Sequence, residues 1–492
     1  MERQNSPAKV NDDLRDKPEK INMRAFLKLV AAIAIPVALQ NLLTTTASMV
    51  DTIMLATLGE NTVGAVGLCA QFSSLMFSGY WGFVGGGMLF FAQYWGAKDD
   101  QGVCSSYGLT LTCMMTVAVV FCGFATLLPD QVMRLYTDKT ELHVIGVEYL
   151  RIVGFAYVLQ VVSMAMSALL RTTDRVRIPL IASIVSLLTN FGMNYLLIFG
   201  NFGFPKLGVK GAAIATVIAG VVNVLMLALL GKASKHPFLL AFRRHFRWNK
   251  ALVHNYFMKC FPILCNEVLI GVGNMVINIV LGRQPTEAIN ALAVFRTFEG
   301  FVIGFFSGFS NAASILVGTE VGAGHHELAF ARAKRLILMC PCIIFAACLA
   351  FLAVHKPLLT AMSLTGESFI ICRNMLLVYS VAAVIRMCNW IQNDTFRSAG
   401  DSSYGTILEI TFMYALVLPS ICVAGLVLHA PTILVFICAY IDEPVRIVLM
   451  LRHTFSGRWV KPVTKEGVAT IDAFRERHGI VVKSRRKAVK AA

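Results

Sequence analysis

The chain has 492 residues, of which 57% are hydrophobic and 15% charged. A soluble domain carries roughly 25% charged and 45–50% apolar residues, so this composition excludes one large soluble core and points to many membrane spans. The formal net charge of +16 does not imply nucleic acid, because the basic residues flank apolar stretches and form no basic domain with interleaved aromatics.

Residues 1–22 are polar, mixed in charge and without an apolar signal-peptide core, and read as a short disordered cytosolic lead. Beyond them, charge-poor intervals recur, each near the roughly 20 residues that an α-helix needs to cross a bilayer. They predict spans over 27–58, 63–92, 103–128, 143–169, 178–200, 210–231, 254–282, 288–318, 334–355, 367–394, 404–428 and 431–451. Helices are expected because each backbone polar group within lipid needs a partner in its own segment. The fold class is thus an all-α membrane protein with about twelve transmembrane helices in two six-helix lobes around a central cavity. The expected divisions are an N-lobe over 23–231, a basic cytoplasmic linker over 232–253, a C-lobe over 254–452 and a basic cytoplasmic tail over 453–492.

Lysine and arginine set the orientation. Lys232, Lys235, Arg243, Arg244, Arg247 and Lys250 follow the sixth span, Arg171, Arg175 and Arg177 the fourth, and Arg332, Lys334 and Arg335 the eighth. The tail adds Arg485, Arg486 and Lys487, whereas the opposite loops are poor in basic residues. Both termini are therefore expected on the cytoplasmic side of the cell's inner (plasma) membrane. The tail is expected to rest on anionic lipid, with residues 465–492 dispensable for activity. The 13 cysteines are scattered singly and read as small buried hydrophobes, with no metal site. The absence of H-E-x-x-H, G-x-S-x-G and P-loop patterns argues against an enzyme, and no cofactor is expected.

A shift of 226 residues brings the two halves into register, pairing Pro36 with Pro262, Met49 with Met275, Gly82 with Gly308, Gly96 with Gly322 and Arg171 with Arg397. Each half has an even number of spans, so the repeats are parallel and suit alternating access to a central cavity.

Ionisable groups at bilayer depth mark function by default. Asp51 lies in a stretch otherwise free of charge after Lys28, and helical rise places it in the outer half of span one. Its repeat partner is Ile277, so the fold does not require an acid there; solvation near a helix end is the plain alternative. Asn190 and Asn194 share one face of span five, and Thr216 lies at similar depth in span six. One carboxylate, two amides and a hydroxyl can serve a proton or Na⁺, though the two asparagines also suit interhelical hydrogen bonding. In the second half, Arg296 and Glu299 read as a local ion pair or as cavity lining. Glu267 and Arg386 are expected to form a buried pair, since both lie about 12–16 Å from the cytoplasmic side by helical rise. Gln40, Met49, Phe72 and Met275 are candidates to line a soft substrate pocket, against packing or lipid contact.

Several segments carry a family likeness. IPVALQNLLTTTASMVDTIMLATLG in span one, AQYWGAKD after span two, the paired turns LLRTTD and FRSAGD, and NFGMNYLLIFG followed by GVKGAAIATVIA appear in order over roughly residues 25–455. Together they resemble the multidrug and toxic compound extrusion family. The resemblance implies a drug/H⁺ or drug/Na⁺ antiporter acting on small organic compounds, often cationic, within membrane lipid and as a monomer. It implies an amino-terminal cation site at Asp51, Asn190, Asn194 and Thr216; Asn194 stands where some members carry Asp. Glu267 is similar to a carboxylate that other members pair with an aspartate in span ten, a place counted here to Arg386. The alternative cargo is a lipid-linked saccharide, moved by flippases of the same superfamily.

Overall fold

The computed structural model describes residues 22–480 apart from 240, 354 and 362–365. Nearly all of the expected lead, together with Arg485, Arg486 and Lys487, lies outside the described residues. No strand occurs among them. The first half comprises α1 (Met23–Ala56), α2 (Glu60–Gly96), α3 (Asp100–Leu127), the short α4 (Pro129–Tyr136), α5 (Thr140–Thr172), α6 (Arg177–Phe199) and α7 (Val209–Ala233). A single turn, α8 (Phe242–His245), lies in the linker. The second half comprises α9 (Lys250–Leu281), α10 (Thr286–Gly322), α11 (His326–Ala353), α12 (His355–Ala361), α13 (Gly366–Ser398), α14 (Tyr404–Val427), α15 (Thr432–Cys438) and α16 (Glu443–Ser456), followed by α17 (Lys465–Arg477). Side-chain caps start several of them: Asn22, Asp99, Asn249 and Thr464 each accept from a backbone N–H in the first turn.

Eleven of the described helices are long and apolar enough to cross a membrane. The expected twelfth span is instead broken into α15 and α16 around a turn at 439–442. Pro444 occupies the first turn of α16, where its missing N–H is harmless, but it cannot continue a helix arriving from α15. The helix α14 is also irregular, with π-helical turns at Met413–Val417 and Val423–Val427 on either side of Pro419.

Of five apolar cores among the described residues, two are large. Tyr80, Tyr107 and Tyr157 are buried in the first, where α2, α3, α5 and α7 meet. Phe295, Tyr379 and Phe436 stack edge to face in the second, between α10, α13 and α15. The lobes meet along α1 against α10 and along α2 against α9 and α10. Small residues at repeat positions permit this approach. A methyl group on Gly96 would collide with the carbonyl of Thr319, and one on Gly322 with that of Gln93. Thr319 lies 226 residues beyond Gln93, so the two collisions are one contact used twice. Gly82 against Leu264 and Gly308 against Ala38 repeat the pattern deeper in the membrane. These contacts close the half of the molecule nearest the start of α1, here called the terminal face. Towards the far face a cleft of about 450 Å³ separates Thr44, Thr45, Ser48 and Met49 of α1 from Arg296, Thr297 and Gly300 of α10.

The basic tail expected over 453–492 is folded over its described part. Between Lys465 and Arg477 three bases balance three acids, and the segment folds back as a strap. Trp459 is fully buried, and Ile471 and Phe474 pack one turn apart beneath α17. Phe474 lies against His326 and Phe330 of α11. Thr464 donates to Gly322 O at 2.7 Å, and Val463 N donates to Gln93 Oε1 at 2.8 Å. The side-chain amide of Gln93 in turn donates to Ser398 O at 2.8 Å, so one glutamine of α2 ties together the strap and α13.

Candidate functional site

Asp51 and Asn194 meet between α1 and α6. The Asn194 amide donates to Asp51 Oδ1 at 2.6 Å and, at 3.3 Å, to Asn190 Oδ1. Asn190 and Asn194 are buried, while Asp51 is half-buried. Asn194 Oδ1 is buried with no hydrogen-bond partner among the described residues. A buried acceptor left beside a carboxylate is a place that a proton or a hard cation would satisfy. Thr216 spends its hydroxyl proton on Ala212 O, in its own helix.

Gln40 does not stand free in the cleft. Its amide donates to Ser183 Oγ at 2.9 Å, and its carbonyl accepts from the buried Arg171 at 2.6 Å. Phe72 is buried against Phe121 and Tyr157 and belongs to the first core rather than to the cleft. Met49 lines the cleft, and Met275 is exposed on α9.

The expected Glu267–Arg386 pair does not form. Glu267 lies 3.5 Å from Arg397, and Arg386 lies 2.7 Å from Glu299. Side chains in a helix tilt towards its N-terminus, so Arg397 on α13 reaches inward while Glu267 on α9 reaches back towards it, and the two meet.

Two clusters result. In the first, Arg397 lies 3.7 Å from Asp394 as well as facing Glu267, and Ser310 hydrogen-bonds Asp394. Asn266 and Asn393 each donate to Glu409 at 3.1 Å. Two carboxylates therefore face one guanidinium, and a third, Glu409, is held beside them by two amides. Asp394 and Glu409 were readable as acids inside apolar spans, and the count to Arg386 passed over them. The first lobe has the same frame without the acids: Arg171, Gln40 and Ser183 stand 226 residues before Arg397, Asn266 and Glu409.

In the second cluster, Glu299 is buried and held by Arg296 at 2.5 Å, Arg386 at 2.7 Å and the Tyr440 hydroxyl at 3.2 Å. Arg386 continues to Glu443 at 4.0 Å, Glu443 to Arg446 at 3.5 Å, and Arg446 to Asp442 at 2.9 Å. Three acids alternate with three arginines, a neutral chain that suits a low-dielectric core. Glu299→Gln is expected to cost about 1–3 kcal/mol, since it removes the counter-ion of Arg296 and leaves Arg386 only Glu443. The double substitution with Arg386→Met should cost much less than the two single losses added. Thermal unfolding of all four chains in detergent reads the difference, and simple additivity would show that no coupling exists.

Two parallel lobes of membrane-crossing helices, closed at one face, cleft towards the other and holding buried acids, define a polytopic membrane transporter. The MatE family model matches residues 36–196 and 262–422, two copies in the 226-residue register. The chain therefore belongs to the MatE family, the multidrug and toxic compound extrusion transporters. It is 25% identical to the probable multidrug resistance protein YoeA of Bacillus subtilis, over 78% of this chain and 84% of that one. It is 22% identical to the transporter YisQ of the same organism, over 84% and 90% of the two chains. A structure described as the outward-facing conformation of a multidrug resistance MATE family transporter superposes with a TM-score of 0.78 at 16% identity, covering 96% of this chain and all of that one.

Proposed function

We propose that the protein is a cation-coupled antiporter that exports multiple organic compounds, cationic ones among them, from the cell. The lobes, taken as residues 23–231 and 254–452, rock about the α1–α10 and α2–α9 contacts and expose the cleft alternately to the two sides. Both termini lie on the cytoplasmic side, which makes the terminal face the inner one and the described state outward-open. The protein works as a monomer in the plasma membrane. H⁺ or Na⁺ entering from outside binds at Asp51, Asn190 and Asn194, with Thr216 beside them, and biases the first lobe towards release of cargo. The observation that carries this reading is the orphaned Asn194 Oδ1 beside the Asp51 carboxylate, in a lobe whose repeat partner has Ile277 instead. The lipid-linked saccharide reading falls behind, because the relatives are named for multidrug resistance.

Reconstituted vesicles supplied separately with a pH gradient and a Na⁺ gradient test the coupling. The export of a fluorescent organic cation should follow at least one of them, and export indifferent to both would overturn the reading. Asn194→Asp adds a second hard carboxylate and is expected to raise the Na⁺ dependence of export. No change in Na⁺ stimulation would remove Asn194 from the ion site.

A further inference from the structure

The cleft between α1 and α10 has an uneven chemistry. On the α1 side, Thr44 and Thr45 donate their hydroxyl protons to Gln40 O and Asn41 O of their own helix, and Met49 adds an apolar surface. On the α10 side, Gly300 leaves open space where a side chain would stand, and Thr297 turns its hydroxyl to Ala293 O. Among the described residues, the one charged group lining the cleft is Arg296, whose side chain is 42% exposed. Its counter-ion Glu299 is only 5% exposed and is shared with Arg386 and Tyr440, so the cleft meets the guanidinium and not the carboxylate. Arg296 commits one amino group to Glu299 and the other to Asn278 Oδ1 at 2.9 Å, which holds the guanidinium plane in place. A guanidinium has five N–H donors, so the fixed plane keeps donors for a further acceptor.

We infer that this cleft recognises cargo through a carboxylate, with Arg296 as the receiving group and the open space over Gly300 taking a flat apolar body. The inference rests on the transporter reading above and adds a substrate class to it: zwitterionic or anionic organic acids beside simple cations. A guanidinium pairs with a carboxylate through parallel charge-assisted hydrogen bonds, and a methyl ester of the same molecule keeps the shape but loses the charge. The second cluster as a whole is neutral, so the preference comes from local geometry and not from a broad positive field.

The test compares binding of a xanthene dye bearing a free carboxylate with binding of its methyl ester, using the purified full-length protein in detergent and fluorescence anisotropy as the readout. The wild-type chain should favour the acid about tenfold, the size of one charge-assisted hydrogen bond. Arg296→Gln should bring the ratio of the two affinities to about one, and Arg296→Lys should leave it between those values. A purely structural role for Arg296 would lower stability or both affinities together and leave the ratio where it was; that result, or equal wild-type affinities, overturns the inference. Selective binding without gradient-driven export in vesicles would count against the antiporter reading and leave the carboxylate site standing.

Discussion

Truncation of the chain after Ser456 is expected to destabilise the protein strongly, although residues beyond that point lie past the last span. Trp459, Val460, Ile471 and Phe474 are all buried. Each side chain of that size contributes about 1.5–3 kcal/mol on leaving water, so their loss alone approaches the ~5–15 kcal/mol that holds a typical domain folded. The cut also exposes their partners on α11, including His326 and Phe330. It strips Gln93 Oε1 and Gly322 O of the bonds from Val463 and Thr464. Because Gln93 belongs to α2 and the strap packs on the second half, the loss falls at the contact that keeps the terminal face closed. Thermal unfolding in detergent should show a drop of many degrees, and a cysteine introduced near Gly96 should label faster from that face. An unchanged unfolding temperature in the truncated chain would show that the strap is not part of the folded unit. Cutting after Ile480 instead should leave stability near wild type, since the packed residues remain.

Asp51→Asn is expected to abolish coupled export while the protein stays folded and inserted. Asn matches Asp in shape, so the contact with Asn194 across α1 and α6 can persist with a donor and acceptor exchanged. What disappears is the ability to carry a proton or to neutralise a cation. No second carboxylate contacts Asn190 or Asn194 among the described residues to take over. A conformational equilibrium moves only as far as a ligand's differential affinity allows, so a site that no longer binds its ion cannot bias the two states. Export in vesicles should fall to the level of vesicles lacking the protein, with surface expression and unfolding temperature near wild type. Full export by the variant at normal expression would assign coupling elsewhere, and Glu267 and Asp394 at Arg397, with Glu409 on Asn266 and Asn393, would be the next place to look.

Much of the fold was legible because membrane burial imposes a strong local constraint. Apolar intervals of the right length, basic loops and a 226-residue register determined the helices, their number to within one break and the duplication. The break before α16 was readable in Asp442-Glu443-Pro444, charges and a proline where a span was drawn through. Depth was legible too, which is why Asp51, Asn190 and Asn194 were expected on one level. What helical rise does not determine is which neighbour a side chain faces. Two groups at equal depth meet only if the helices are adjacent and turned towards each other, and that rotation is set by packing between helices. Tertiary structure alone therefore decided that Arg386 pairs with Glu299, that Arg397 takes Glu267, that Phe72 points into a core and that Gln40 serves Arg171. It also decided the strap. The short apolar face of α17 is stable only against α11 and the ends of α2 and α10, surfaces that exist once the lobes have assembled.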